Sequence, residues 1–416
     1  MTYFEIVCIS IDEWKDKSKR SYLGVTAQAV SKERVSFFTL GMKPLIGEKI
    51  DGELIYQTLD KVLVQYDIRN KIKGCVSDSG SIMISGLKKL NFPRLPCSCH
   101  LMNNLMKAFI MAHKKRFDEI IRLQYECSTS NFVEYCIENN TKLMTIPSYC
   151  HVRWYSMCRL INGLYIMKHH IIEYRTKNKM VAVEPHVWED IDVLNPLFEN
   201  SQEIMNILES DNFGSISFVI RGLSLFQHYV QSLPERFNTG KVDVAAKLRK
   251  IWEKYNDLWD PLLFAATRLN PALDVYMILE SEQIARGDQY ILEMMKTFDS
   301  HPKVQSPTKK NNVLCCFGHG KSDSHETVFE SYKANQVDDI IDLFDFWKGK
   351  LKTKMSTLAN VAIQILSILS SSASVEREFS SSRRAIGFQR LRMHPNKVED
   401  MMIIIGNPDI AEIVIK

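Results

Sequence analysis

The chain has 416 residues, of which 45% are hydrophobic, 25% charged and 10% aromatic, with a formal net charge of +4. This is an ordinary composition for a globular protein with a sizeable core and two or three domains. The charge is too small to indicate nucleic-acid binding by itself, and no window approaches the roughly 20 apolar residues of a membrane span. The ten cysteines follow no regular spacing and no secretory signal precedes them, so we expect reduced thiols in an intracellular compartment.

The first hundred residues alternate between β-rich runs and helical patterns. Apolar runs begin at positions 6, 21 and 35, and the short polar turns "DKSKR" and "SKER" between them favour an antiparallel meander. A helix is predicted over 51–66, then a strand "IKGCVS" that leads to Asp78, a helix, a short strand over 95–99 and a further helix. The order β-β-β-α-β-α-β-α is that of a ribonuclease-H-like mixed sheet with helices on its faces.

The character of the sequence changes after the first hundred residues. Strand signals fade from about residue 108 and helical patterns dominate as far as 345, with one long aperiodic loop over 299–326. The final segment contains two or three further helical patterns. We therefore predict a first part of the sheet domain at 1–108, an all-α insertion at 109–345 and a second part of the sheet domain at 346–416.

Two acidic residues stand at the expected ends of core strands. Asp12 follows "IVCISI" and Asp78 follows "IKGCVS", and in a ribonuclease-H-like sheet the first and fourth strands are neighbours. Two carboxylates so close repel one another unless cations neutralise them. A pair of Mg²⁺ or Mn²⁺ ions on such ligands is a common device for attack on a phosphodiester. The alternative, that the first strand simply reaches the surface at Asp12, stays open at this point.

A third acid lies far along the chain. Glu376 begins a predicted helix in "SSASVEREFSSSRR", after a run of small residues, and Arg383 lies two turns further on roughly the same face. Periodicity alone does not show that this helix returns to the sheet. Glu376 is therefore a candidate for the same site only if the fold places its helix beside Asp12 and Asp78.

The segment "SASVEREFSSSRRAIGFQRLRMHPNKVEDMMIIIGN" resembles the C-terminal signature of hAT-superfamily DNA transposases. Six earlier motifs resemble that family in the same order along the chain. They are "IDEWKDKSKRSYLGVT", "CVSDSGSIMISGL", "CSCH" with "LMNNL", "SYCHVRWYS", "FAATRLNPALD" and "FDFWKGK". The resemblance extends over nearly the whole sequence and is strongest to the Hermes-like branch.

The resemblance implies a ribonuclease-H-like fold interrupted by an all-α insertion and completed by C-terminal dimerisation helices. It implies a DDE triad in which Asp12, Asp78 and Glu376 bind two Mg²⁺ or Mn²⁺ ions and cleave DNA at transposon ends, form hairpins on the flanking DNA and join the freed end to a target. Trp154 would stack on a base flipped out of the duplex and Arg153 would contact the backbone. A homo-oligomer in the nucleus is the corresponding expectation.

The family carries a BED-type zinc finger and a helical dimerisation segment ahead of the first strand. Because only five residues precede that strand here, we expect both to be missing. The alternative function is therefore a non-enzymatic DNA-binding or dimerising protein on the same scaffold. The apolar closing segment "VEDMMIIIGN" also suits this alternative, because an exposed apolar face needs a partner.

Three further features carry predictions. Cys97 and His100 match the family's Cys-x-x-His motif, which assigns His100 to the DNA-binding surface; packing is favoured over a zinc site, because no second ligand pair stands at a suitable spacing. Trp14 is expected to pack beneath the strand end. A basic cluster is assigned to phosphate contact, with a solvated helix end as the alternative; its members are Arg383, Arg384, Arg390 and Arg392.

Overall fold

The computed structural model divides the chain into two compact units. The described residues are 4–16, 19–47, 49–90, 92–143, 145–150, 155–255, 260–300, 324–333, 342–386 and 395–407. Unit 1 consists of Met1–Cys97, Glu209–Ile220 and Asn256–Lys416, and unit 2 of Ser98–Leu208 and Arg221–Tyr255. Each unit is described by itself below.

Unit 1 contains a five-stranded mixed sheet. Its strands are β1 (Ile6–Lys15), β2 (Ser21–Val30), β3 (Val35–Pro44), β4 (Ile72–Ser77) and β5 (Arg94–Pro96). They lie in the order β3-β2-β1-β4-β5, with antiparallel pairing among the first three strands and parallel pairing of β1 with β4 and of β4 with β5. The predicted order of strands and helices over the first hundred residues is confirmed.

The remainder of the described chain is mostly helical. Unit 1 also contains α1 (Gly52–Gln65), α2 (Ser81–Leu87), α10 (Asp260–Arg268), α11 (Ser281–Ser300), α12 (His325–Lys333), α13 (Leu343–Lys350), α14 (Ser356–Leu366), α15 (Ala373–Ile386) and α16 (Pro395–Gly406). Unit 2 contains α3 (Ser98–Ala112), α4 (Lys114–Glu126), α5 (Ser130–Glu138), α6 (Tyr155–Lys177), most of α7 (Pro185–Glu209) and of α8 (Val219–Gln231), and α9 (Asn238–Tyr255). No described helix is both long and apolar enough to cross a membrane.

One face of the sheet is an apolar core built with α1. Alternate residues of β1, among them Val7, Ile9 and Ile11, are fully buried in this core, because successive strand residues point to opposite faces. Helix α1 begins at the N-cap Asp51, whose carboxylate accepts the Leu54 N–H at 3.0 Å, and it buries one stripe of apolar side chains. Each large aliphatic side chain buried in this way contributes about 1.5–3 kcal/mol.

The prediction that β1 ends at Asp12 is wrong. The strand continues to Lys15, because residues 13–15 pair with the start of β2 across an antiparallel hairpin. Trp14 is buried in this extension, where its ring stacks on Phe379 of α15 with centroids 5.7 Å apart. The expected packing role of Trp14 is thereby confirmed, and Asp12 lies inside a paired strand.

The outer edge of the sheet is closed by the C-terminal segment. The side-chain amide of Asn407, directly after α16, accepts the Thr39 N–H of β3 at 3.1 Å and donates to the Thr39 carbonyl at 2.9 Å. Lys43 of β3 forms an ion pair with Glu399 of α16. An unpaired strand edge is a site of unwanted pairing between chains, so these contacts protect β3.

All eight cysteines in the described part of the chain are free. Seven of them are buried. Burial raises the pKa of the Cys8 and Cys158 thiols to about 12, so both remain protonated near neutral pH.

Unit 2 contains a buried histidine, His113. His113 lies between the rings of Phe109 and Phe237, and its Nε2 is 3.0 Å from the Gly240 N–H in the first turn of α9. The Phe237 carbonyl lies 3.2 Å from the same nitrogen. Desolvation lowers the pKa of His113. The hydrogen bond with the Phe237 carbonyl opposes this effect in part, Arg116 lowers the pKa further, and Asp190 and Asp243 raise it slightly. The neutral ring can accept the Gly240 N–H, whereas the protonated ring cannot.

We expect acidification to destabilise unit 2 through His113. Because the pKa is lower in the folded state than its ordinary value of 6.5, the unfolded state binds the proton first, and stability falls as the pH drops below about 6.5. The expected result is a lower urea midpoint at pH 5.5 than at pH 7.5, measured by circular dichroism. His113→Gln retains an acceptor that does not titrate, so its urea midpoint should fall less between pH 7.5 and pH 5.5 than that of the wild type. An equal fall in both proteins would show that His113 is not the cause.

Candidate catalytic site

Asp12 belongs to the sheet face that α15 covers. It is the cross-strand partner of Gly24, and a Cβ on Gly24 would lie 2.5 Å from Cγ1 of Val375 and 2.6 Å from Cε1 of Phe379. Since directly paired strand residues project to the same face, Asp12 shares this face with the start of α15. Asp12 is buried, and its Oδ1 accepts the Glu13 N–H at 2.8 Å. Its carboxylate is therefore carried by a rigid element.

Asp78 follows the strand next to the one that carries Asp12. In the parallel pairing of β1 with β4, Ile11 lies opposite Ser77, so both aspartates come directly after paired residues on strands roughly 4.8 Å apart. The predicted neighbourhood of the first and fourth strands is thus confirmed. The Asp78 carboxylate is half-buried, and its Oδ1 accepts the Gly80 N–H at 3.2 Å at the start of α2.

An arginine that the sequence analysis missed braces the end of β4. Arg94 of β5 donates from Nε to the Ser77 Oγ at 2.8 Å, and its Nη2 donates to the Asp78 carbonyl. The guanidinium therefore fixes the backbone that carries Asp78. No motif marks Arg94 in "FPRLPCSC"; its position becomes significant only once β5 is known to pair with β4.

Helix α15 returns to the sheet, and Glu376 lies in its first turn. Val375 and Phe379 of this helix pack over Gly24 and Trp14, and the Ser374 hydroxyl is 2.8 Å from that of Thr26 on β2. The Glu376 side chain itself is exposed.

The next residue holds the outer side of the same helical turn. Arg377 donates from Nη1 to the Glu209 carbonyl at 2.9 Å, and its Nη2 contacts the Asp211 carboxylate. Buried apolar contacts on one side and an ion pair on the other therefore fix the first turn of α15.

The arrangement is suited in chemical type to divalent cations. Asp12, Asp78 and Glu376 offer only carboxylate oxygens, the hard ligands that Mg²⁺ and Mn²⁺ prefer, and Asp12 lies on the sheet face covered by the first turn of α15. The positive end of that helix also favours anionic groups nearby. Among the described residues, no three or more His, Cys, Asp or Glu side chains are already gathered closely enough to hold a metal ion.

The two residues of the Cys-x-x-His motif fall in different units. Cys97 is buried directly after β5, and its Sγ accepts the Ser372 N–H at 3.3 Å. His100 lies in the first turn of α3 in unit 2 and is half-buried.

Several predicted DNA contacts fall outside the described residues. Arg153, Trp154, Arg390 and Arg392 belong to this group. Arg383 and Arg384 lie in α15, and only their backbone is described. Their proposed roles remain predictions.

Residues 325–407, from α12 through Asn407, match a family model described as the hAT family C-terminal dimerisation region. The matched segment includes α15 and α16, and hence Glu376. Comparison with curated proteins finds no match.

Proposed function

We propose that this chain is a metal-dependent enzyme that cleaves and joins DNA strands, either a hAT transposase or a protein derived from one. The match of residues 325–407 to the hAT family C-terminal dimerisation region supports this proposal. The strand order β3-β2-β1-β4-β5, with an antiparallel meander followed by two parallel strands, favours a ribonuclease-H-like core for this activity. The proposed substrates are transposon ends and target DNA, and the nucleus is the corresponding location.

The observation that most favours a catalytic site is the packing of α15 on the sheet. Of all the described helices, the one that carries the family's glutamate packs directly over the strand position opposite Asp12. The acid that the resemblance assigns to catalysis is therefore carried by the helix that covers the sheet face of Asp12.

The three acids would hold the metal ions from three different elements of the fold. Asp12 presents its carboxylate from within a paired strand, so its backbone is held by the sheet. Asp78 lies at a strand end that Arg94 braces, and Glu376 approaches on a helix. Two Mg²⁺ or Mn²⁺ ions on these carboxylates would activate the attacking oxygen and stabilise the leaving oxygen of a phosphodiester. The proposed DNA contacts are Arg153, Trp154, His100 and the basic cluster of Arg383, Arg384, Arg390 and Arg392.

The proposal is tested by Mn²⁺-dependent nicking and strand joining on supercoiled plasmid. We expect activity in the wild type and its loss in Glu376→Gln, which keeps the size of the side chain and removes its charge. Glu282→Gln is the matched control, because Glu282 is also an exposed acid in the first turn of a helix of unit 1. Full activity in Glu376→Gln would remove Glu376 from the site.

A second candidate is a non-enzymatic DNA-binding or dimerising protein on the same scaffold. It is favoured by one observation: the segment that matches the dimerisation region carries exposed isoleucines on α16, Ile404 and Ile405. A folded wild-type chain that binds plasmid but does not nick it with either metal would support this candidate over the enzyme.

We also propose that the protein forms a homodimer through the outer face of α16. Ile404 is 56% exposed and Ile405 is 42% exposed, within the segment that matches the dimerisation region. Ile404→Asp places a charge in this face and is expected to convert the dimer to a monomer in size-exclusion chromatography with light scattering. Val64→Asp is the control, since Val64 is 62% exposed on α1, outside the matched segment. Equal masses for both variants would contradict the assignment of this face.

A further inference from the structure

The short connection between α14 and α15 is buried along its whole length. This connector, residues 367–372 with the sequence "SILSSS", has no side chain more than 5% exposed. It is not helical over most of its length, so its backbone groups lack the regular partners that a helix supplies. Buried backbone N–H and C=O groups must nevertheless find partners.

Side chains from three other parts of unit 1 supply these partners. The hydrogen bonds run from the Leu369 N–H to the Cys8 Sγ (3.5 Å), from the Ser370 N–H to the Ser215 Oγ (3.3 Å), from the Ser10 Oγ to the Ser371 carbonyl (3.3 Å) and from the Ser372 N–H to the Cys97 Sγ (3.3 Å). The four anchoring side chains are all buried. The connector is therefore held by side chains at four successive residues.

The last anchor lies closest to the proposed catalytic acid. Ser372 directly precedes α15, and its carbonyl accepts the N–H groups of Val375 at 3.1 Å and of Glu376 at 3.4 Å. The Ser372 hydroxyl is buried and has no partner among the described residues, so it does not cap the helix. A displacement of Ser372 is thus transmitted directly to Glu376.

We propose that Cys97 is a positioning residue, which fixes the start of α15 and thereby the approach of Glu376 to Asp12. This inference rests on the proposed function, because it concerns the geometry of the same site. Cys97 acts through the backbone of Ser372 and touches no substrate. Its thiol serves as a hydrogen-bond acceptor at the end of β5.

Sulfur sets the geometry of this anchor. A Cys side chain reaches further than a Ser side chain, because the C–S bond is longer than the C–O bond. Cys97→Ser should therefore restore an acceptor at a slightly wrong distance, and Cys97→Ala should leave the Ser372 N–H buried without a partner. Cys75 provides a matched control, since it is a buried thiol on β4 of the same sheet that packs in the apolar core with α1.

The test compares Cys97→Ala, Cys97→Ser and Cys75→Ala in two measurements on the full chain. The first is amide hydrogen exchange of the peptide 366–379 without metal, and the second is the Mn²⁺ concentration for half-maximal plasmid nicking. Cys97→Ala should speed exchange in this peptide and raise the required Mn²⁺ by roughly 10- to 100-fold. Cys97→Ser should lie between it and the wild type, and Cys75→Ala should change neither.

Each outcome decides one question. Unchanged exchange in Cys97→Ala would overturn the anchor, and faster exchange with an unchanged Mn²⁺ requirement would overturn its positioning role. If Cys97→Ala does not fold, the graded effect of Cys97→Ser carries the same comparison. If the wild type does not nick plasmid at all, the proposed function fails. The anchor is still tested in that case, because exchange rates in Cys97→Ser and Cys97→Ala equal to those of the wild type would overturn it.

Discussion

An Asp12→Asn chain is expected to keep its fold and lose metal-dependent DNA cleavage by at least about 10³-fold. Asparagine retains an oxygen that can accept the Glu13 N–H, the contact that the Asp12 Oδ1 makes at 2.8 Å. It lacks the negative charge that a divalent ion requires from this strand position. This substitution should therefore abolish DNA cleavage without destabilising the fold.

The measurement is the plasmid nicking rate at saturating Mn²⁺, together with the urea midpoint of the metal-free protein. We expect the midpoint to be no lower than that of the wild type. Asp51→Asn is the control, because Asn caps the start of α1 as well as Asp does. Nicking within tenfold of the wild type would exclude Asp12 as a metal ligand.

A single methyl group on Gly24 is expected to displace α15. The Cβ of Gly24→Ala would lie 2.5 Å from Cγ1 of Val375, far inside van der Waals contact, and Phe379 and Trp14 leave the helix little freedom to yield. Overpacking of this kind costs about 1–3 kcal/mol. A shift of about 1 Å in the helix that carries Glu376 would lower catalysis roughly 100-fold.

Urea unfolding and the nicking rate of the folded fraction test this expectation together. Gly41→Ala is the matched control on the neighbouring strand, because its Cβ would lie 3.5 Å from the Lys43 side chain and 3.7 Å from that of Glu399, which are ordinary contacts. Gly24→Ala should lose both stability and activity, and Gly41→Ala neither. Equal behaviour of the two variants would mean that α15 tolerates movement over the sheet.

The sequence predicts those parts of the fold that local patterns determine. Period-two and period-3.6 patterns identify the strands and helices of the first hundred residues, because each element must bury one face. The helices at the C-terminus are found in the same way. The sequence places the end of β1 too early, because a charged residue after an apolar run suggests a strand end. In the structure the pairing with β2 and the stacking of Trp14 extend the strand past Asp12.

The relation between distant segments could not be predicted from local patterns. That α15 lies on β2 depends on the absence of a side chain at Gly24, which reads in the sequence as an ordinary glycine. Arg94 and Cys97 acquire their roles only when β5 pairs with β4 and the connector passes over the sheet. The motif order suggests such proximity by resemblance alone.

The unit to which helices α10 to α13 belong is equally hard to predict from local patterns. They belong to unit 1, together with the sheet. The Trp347 Nε1 donates to the Leu269 carbonyl at 3.0 Å, and the Tyr332 hydroxyl donates to the Arg268 carbonyl at 3.0 Å. Such bonds join segments more than sixty residues apart and leave no periodic signal.

The closure of the β3 edge by Asn407 links assembly to the stability of the sheet. The helix that precedes Asn407 carries both the ion pair to Lys43 on its inner side and the exposed isoleucines on its outer side. A partner bound to the outer side binds only the folded arrangement, so it stabilises β3 by mass action. In a homodimer, the resistance of the sheet to unfolding would therefore depend on protein concentration, and dilution alone would weaken the β3 edge of the sheet.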